Sequence, residues 1–111
     1  MSGNASTPNG MYILANLGNS PNWQCETRAA NAPTTTVSSV AITFGAWHTA
    51  QILTNAAWTS VQFFLDGTLL ATNTTNIPTV LCAPGIGSEG FTGVPQDLLC
   101  DYCYYNYTFT R

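Results

Sequence analysis

Hydrophobic and polar positions alternate on both sides of an Asp-Gly pair in residues 61–71, and this pattern predicts a β-hairpin. The pair Asp66-Gly67 fits a two-residue type I′ turn, in which both central residues need a positive φ. That turn sets the expected register, which places Leu65 opposite Thr68, Phe64 opposite Leu69 and Phe63 opposite Leu70.

The two faces of this hairpin differ in polarity. The expected core face carries Val61, Phe63, Leu65, Thr68, Leu70 and Thr72. The opposite face carries Gln62, Phe64, Leu69, Ala71 and Asn73. Since Phe64 and Leu69 form an apolar pair on this second face, we expect a neighbouring chain, a ligand or a flanking loop to cover them.

Apolar and β-branched runs elsewhere predict further strands, separated by Gly, Pro and Asn turn signals. These runs are 11–17, 23–29, 34–44, 47–53, 80–87 and 97–109, with a break at 31–33 and a loop at 54–60. No 3.6-residue period indicates a helix. About eight short strands favour an all-β fold, an antiparallel two-sheet sandwich of the jelly-roll type. Residues 1–10 predict a polar flexible or exchange arm, and residues 11–111 a single sandwich domain.

Charge is nearly missing from this chain, since charged residues make up 6% of 111 residues, the net charge is −3 and Lys does not occur. Without a basic patch to neutralise phosphates, neither nucleic acid nor an anionic membrane is an expected partner. No apolar run approaches the roughly 20 residues that span a bilayer, and residues 1–10 lack the features of a signal peptide. A surface made polar by Thr, Asn and Ser repels copies of itself weakly, which favours assembly or contact with neutral polar ligands.

Several motifs follow one another in a recognisable order. They are Phe44-Gly45-Ala46-Trp47-His48, the 61–68 hairpin, Thr75-Asn76-Ile77-Pro78-Thr79, Gly85-Ile86-Gly87 and Leu98-Leu99-Cys100-Asp101-Tyr102-Cys103-Tyr104. In this order, over residues 23–111, the chain resembles the C-terminal portion of concanavalin A-like lectin/glucanase (laminin-G-like) jelly rolls, of the kind found in bacteriophage tail-fibre and capsid-surface proteins. Domains of that family are usually longer, so the resemblance implies either a minimal sandwich or one completed by a neighbouring subunit.

The resemblance implies a non-enzymatic virion structural or surface module, either a capsid decoration protein or a tail-fibre head. Such a module would assemble in the host cytoplasm and lie on the virion surface. Its expected partners are copies of itself and other virion proteins, with host-surface carbohydrate as a companion ligand. The alternative is a stand-alone, extracellular secreted lectin or adhesin domain.

Some members of that family are glycosidases, and the carboxylates of this chain argue against the same activity here. Asp97 and Asp101 lie about 13 Å apart on a predicted strand, whereas retaining hydrolysis needs two carboxyls about 5–5.5 Å apart. His48, the single histidine, is accompanied by no Gly-x-Ser-x-Gly elbow and is interpreted as a polar strand residue beside Trp47. We predict no catalytic residue, no cofactor and, since no acidic cluster occurs near Asp101, no calcium site.

The four cysteines are Cys25, Cys82, Cys100 and Cys103. In an extended segment, Cys100 and Cys103 point to opposite faces, about 10 Å apart, beyond the reach of a disulfide. A zinc site would need other ligands to converge on them. Buried or partly buried free thiols are therefore predicted, and Cys82–Cys100 or Cys25–Cys103 disulfides are the alternative for a protein that matures outside the cell.

Aromatic residues supply the candidate binding residues. Trp58, in a predicted loop, and Trp23 are the candidates for ligand binding, although the Trp58 ring folded back on the sandwich edge is an equal alternative. Tyr105 and Tyr107 share one face of the predicted last strand. Together with Phe64 and Leu69, they form the candidate oligomer interface.

Overall fold

The computed structural model describes residues 8–80, which form two antiparallel sheets of three strands each. The first sheet contains β1 (Gly10–Leu14), β2 (Asn22–Ala29) and β3 (Ala32–Ala41), and the second contains β4 (Ala50–Thr54), β5 (Val61–Leu65) and β6 (Thr68–Asn73). Within residues 8–80 there is no helix, and hence none that is long and apolar enough to cross a membrane. The predicted all-β fold with two antiparallel sheets is confirmed. The predictions for residues 1–7 and for the strands after residue 80 lie outside the described residues.

Each strand pairs with the next one along the chain, so each sheet is a meander. Two of the connections are two-residue turns in which both central residues have a positive φ. These are Asp66 (51°) with Gly67 (79°) and Ala30 (49°) with Asn31 (69°). The Asp-Gly turn is confirmed, and its geometry matches the type I′ class that suits the strand twist. The break predicted at 31–33 begins one residue after the start of this Ala-Asn turn and includes Ala32, where β3 already begins.

The register of β5 against β6 agrees with the prediction only next to the turn. Leu65 lies opposite Thr68 and Phe64 opposite Leu69, as expected. Phe63 then lies opposite Ala71 instead of Leu70, because a β-bulge adds one residue to β6.

Beyond the bulge, the side chains of β6 change faces. Ala71 and Asn73 are buried, and Thr72 is exposed. The predicted faces of these three residues were therefore wrong, whereas Leu70 faces the core as expected.

The apolar core lies between the two sheets and is centred on β5. Its buried members are Cys25, Val61, Phe63, Leu65, Leu70 and Ala71, and Met11, Ile13, Trp23, Val40 and Ile77 pack against them. Phe63 and Val61 have no exposed surface. Full burial of side chains of this size stabilises the fold by about 1.5–3 kcal/mol each.

A polar network joins the sheets beside this apolar core. Asn73 donates from Nδ2 to Thr27 Oγ1 (3.2 Å) and to the Thr34 carbonyl (3.1 Å). Its Oδ1 accepts a hydrogen bond from Thr36 Oγ1 at 2.7 Å, and Thr27 Oγ1 also donates to the Thr75 carbonyl at 2.8 Å. These bonds satisfy the polar groups that the bulge carries into the interior.

The connection between the sheets is longer than predicted. Because β3 ends at Ala41 and β4 begins at Ala50, residues 42–49 form a connection that includes Phe44, Trp47 and His48. The predicted strands at 34–44 and 47–53 were therefore too long where they meet. The hydrogen bonds of His48 described below hold this stretch outside both sheets, against the β propensity of its aromatic residues.

Candidate functional site

The two tryptophans predicted to bind a ligand lie near opposite ends of β5, Trp23 in the first sheet and Trp58 in a connection of the second. Trp23, at the start of β2, contacts His48 edge-to-face with the ring centroids 5.6 Å apart. Trp58 lies half exposed in the connection between β4 and β5, with a φ of 55°. The length of β5, about 13 Å for five residues, separates Trp58 from Asp66, the hydrogen-bond partner of His48. The two tryptophans therefore belong to two separate surfaces.

A chain of hydrogen bonds fixes the connection 42–49 to the β5–β6 turn. His48 Nδ1 lies 2.7 Å from Asp66 Oδ2, and His48 Nε2 lies 2.9 Å from Thr43 Oγ1. Asp66 also accepts a bond from the Thr49 amide at Oδ1 and donates its own amide to the Thr49 carbonyl, both at 2.8 Å. We call the region formed by Thr43, Phe44, Trp47, His48 and Asp66 the His48 end. Asp66 thus has two functions: it makes the turn and anchors the connection.

The charge of Asp66 is stabilised by the same bonds. The hydrogen bond from His48, followed by that from the Thr49 backbone amide, lowers the pKa of this carboxyl below its ordinary value. Its side chain is half exposed. The carboxylate therefore stays ionised at neutral pH and holds the imidazole in one orientation.

The order hydroxyl, imidazole, carboxylate is also that of a nucleophilic Ser–His–Asp relay. Such a relay needs backbone donors for an oxyanion as well. At the His48 end, the Thr49 amide is already bonded to Asp66. The arrangement therefore supports positioning of the connection more directly than it supports acyl transfer.

The interpretation of His48 as a strand residue was wrong, since it lies in the connection.

Two exposed aromatic side chains lie between the anchored residues of the connection. Phe44 is 75% exposed and Trp47 69% exposed, and the bonded residues Thr43 and His48 flank them. Exposed aromatic pairs are typical of interaction surfaces because one side of each ring is available to a ligand or partner. Trp47 was predicted to lie in a strand, and the exposed pair was not predicted.

A second surface lies on the side of the second sheet that faces away from the core. Phe64 and Leu69 are cross-strand neighbours there, and Leu69 is 48% exposed. Leu53, also exposed, lies on the same face because it pairs with Gln62. We call the face that carries Leu53, Phe64 and Leu69, with Gln51, Gln62 and Thr72, the outer face. The prediction that Phe64 and Leu69 adjoin each other away from the core is confirmed, whereas Tyr105 and Tyr107 lie outside the described residues.

The carboxylates of residues 8–80 are not brought together. Glu26, in the middle of β2, is buried and forms an ion pair with Arg28 at 2.8 Å, and Thr35 donates to it. Asp66 has different partners at the end of the other sheet. In this part of the chain, no group of three or more His, Cys, Asp or Glu residues could hold a metal ion.

Cys25 is a free thiol with no exposed surface. Burial raises its pKa to about 12, so the thiol stays protonated and unreactive at neutral pH. This agrees with the prediction of a buried free thiol at this position. Cys82, Cys100 and Cys103 lie outside the described residues.

The chain matches a known protein family over most of its length. A family model described as SO2946-like, C-terminal domain matches residues 2–95, a span that contains the six strands of residues 8–80 and the His48 end. No curated protein and no solved structure matches the chain.

Proposed function

The chain belongs to the SO2946-like, C-terminal domain family, and we propose that it is a non-enzymatic virion structural module. In this proposal it decorates a capsid or forms the head of a tail fibre, and it assembles as a homo-oligomer on the virion surface. The family description names no activity. The proposal is supported by the resemblance of motifs such as 44–48 and 75–79 to concanavalin A-like domains of bacteriophage proteins.

The observation that carries the proposal is the outer face. Leu53 and Leu69 are exposed there beside Phe64, and the remaining members of that face are amides and a hydroxyl. A face without charge offers little to keep copies apart in solution. Apolar side chains in contact with one another on a sheet surface are typical of protein–protein interfaces.

The jelly-roll topology of the sandwich is part of the same proposal. The strand order leaves β1, β3, β4 and β6 as sheet edges within residues 8–80. Further strands of a jelly roll would add at these edges. They would come from the rest of the chain or from a neighbouring subunit.

Carbohydrate recognition at the His48 end is the companion proposal. The exposed rings of Phe44 and Trp47 offer apolar surfaces for the C–H faces of a sugar. The fixed polar side chains of Thr43, His48 and Asp66 adjoin them on the connection and the turn, where they would hydrogen-bond sugar hydroxyls. A stand-alone secreted lectin or adhesin would use this site without needing an oligomer.

The solution mass tests the proposal, by light scattering on the purified chain over a dilution series. We expect an oligomer that Leu69→Gln weakens, because the substitution places an amide in the interface. Val37→Gln is the matched control, since Val37 is a similarly exposed apolar strand residue on the first sheet. A monomer at every concentration would contradict the structural-module proposal.

Glycan-array binding tests the carbohydrate-recognition proposal and distinguishes a site at Trp47 from a site at Trp58. If the chain binds a glycan, we expect Trp47→Ala to abolish the signal, while Trp58→Ala, at the other end of the sheet, leaves it unchanged. A monomer that binds a glycan would favour the lectin or adhesin alternative. Loss of binding with Trp58→Ala alone would place the site in the β4–β5 connection.

A further inference from the structure

Strand β4 has the largest share of exposed residues among the six strands of residues 8–80. Four of its five residues are exposed, and in residues 8–80 it pairs only with β5. Ile52 points towards the core side, because it lies opposite the buried Phe63, whereas Leu53 points to the outer face. Both side chains are exposed, so neither side of this strand is fully covered.

The alternation of bonded and non-bonded residue pairs between β4 and β5 shows which backbone groups of β4 point away from β5. The pairs Thr49–Asp66 and Asn55–Ser60 are bonded through their backbones at either end of the strand. Since bonded and non-bonded positions alternate in an antiparallel pair, the odd-numbered residues of β4 bond to β5. The amides and carbonyls of Ala50, Ile52 and Thr54 therefore point away from β5, to the edge that no strand of residues 8–80 occupies.

The other sheet edges carry features that oppose pairing. Pro33 removes a donor from β3, and β6 contains the bulge. Every residue of β1 is buried or half-buried. β4 has no proline, no charged residue and no bulge in its pairing with β5. Proline, charged side chains and bulges usually keep an edge strand from joining another sheet, and β4 lacks all three.

We propose that the free edge of β4 binds β4 of a second copy of this chain, in an antiparallel pair centred on Ile52. This inference rests on the proposed self-association and adds a second contact to it, because Leu69 on β6 lies across β5 from this edge and belongs to the outer-face contact. With Ile52 opposite Ile52 of the second copy, Ala50 lies opposite Thr54, and about six backbone hydrogen bonds form across the two-fold axis. The pair joins two three-stranded sheets into one of six strands.

A second copy fits this edge because the strand is complementary to itself. β4 carries no charge, so its pairing with an identical strand brings no like charges opposite each other. On the outer face, Gln51 of one copy lies opposite Leu53 of the other. The apolar residues of the two outer faces thereby become one continuous surface across the axis.

The first test removes the outward-pointing donor. Ile52→Pro deletes the Ile52 amide without breaking a bond between β4 and β5, and Ile52→Ala is the control that shortens the side chain but keeps the amide. In analytical ultracentrifugation of the full chain, we expect Ile52→Pro to weaken the dimer about thirtyfold, through two lost hydrogen bonds. Ile52→Ala should weaken it much less. Equal effects of the two substitutions would overturn the backbone pairing.

The second test does not depend on the fold tolerating proline. Ile52→Cys places two thiols at Cα positions about 5.5 Å apart, within reach of a disulfide. Thr54→Cys is the matched control, because in this register its two copies lie about 13 Å apart. After mild oxidation, peptide mass spectrometry should show a cross-link between two copies of residue 52 and none between two copies of residue 54.

The outcomes separate this inference from the proposed function. An oligomer that forms no residue-52 cross-link and tolerates Ile52→Pro would overturn the edge pairing and leave self-association standing. A chain that is monomeric throughout would overturn both. A monomer in which the Ile52 amide is slow to exchange with deuterium would show that another segment of the same chain occupies the edge.

Discussion

The buried amide of Asn73 gives the sharpest test of the register, because the bulge brings this side chain inside and turns Thr72 outside. Asn73 is 2% exposed and makes three hydrogen bonds to the first sheet. Asn73→Ala leaves the Thr36 hydroxyl and the Thr34 carbonyl without these partners. Because both bonds are only partly buried, each lost partner should cost about 1–2 kcal/mol, and we expect the free energy of unfolding to fall by about 2–4 kcal/mol.

Urea unfolding of the full chain, followed by tryptophan fluorescence, measures this change. With a slope of about 2 kcal/mol per molar urea, the midpoint should fall by about 1–2 M. The matched control is Thr72→Ala at the neighbouring exposed position, for which we expect a change within about 0.5 kcal/mol. In the Asn73→Ala background, Thr36→Val should cost little, because it removes a hydroxyl that has already lost its acceptor. If Thr72→Ala costs as much as Asn73→Ala, the bulge and the reasoning from it are wrong.

Three further predictions concern single residues. The lowered pKa of Asp66 means that its stabilisation is present above the ordinary Asp value of about 3.9 and is lost as the pH falls through the lower folded value. Asp66→Asn should therefore reduce the loss of stability in urea melts as the pH falls below the ordinary Asp pKa. An unchanged loss would contradict the role of the His48 bond. Gly67→Ala should cost about 1 kcal/mol, because its φ is 79° while no atom lies within 4 Å of the added Cβ; an unchanged melt would refute the strained turn. Cys25, with a pKa of about 12, should resist alkylation at about pH 8 until urea unfolds the chain, and labelling of the Cys25 peptide in the native protein would contradict its burial.

Local turn chemistry allowed the hairpin to be predicted, but not the face of every residue in it. Asp66-Gly67 specifies a turn with two positive φ angles, and that turn determines the next two pairs. The bulge has no signal of this kind, because Leu70 and Ala71 are both apolar and either could face the core. Asn73 is inside because Thr27, Thr34 and Thr36 meet its amide from the other sheet. Partners 37–46 residues away in sequence are not visible in a local alternation of polarity.

The His48 end shows the same limit for a site. Trp58 could be placed in a loop, since turn-forming residues surround it, and the structure has it there. The contact of His48 with Asp66 spans 18 residues, whereas the local sequence around each residue predicted only a strand position for His48 and a turn position for Asp66. Once that contact fixes residues 42–49 outside the sheets, Phe44 and Trp47 become exposed. Their hydrophobicity alone predicts the opposite.

The meander order of the two sheets has a consequence for the folding kinetics. Every strand pair in residues 8–80 joins consecutive strands, so each sheet closes only short loops as it forms, and short loops close quickly. Docking of the sheets is different, because it brings together residues such as Thr36 and Asn73, 37 positions apart. We expect this docking to follow hairpin formation and to limit the folding rate. The threonine and asparagine bonds between the sheets would then form after the transition state. Their loss should mainly accelerate unfolding and leave the refolding rate almost unchanged.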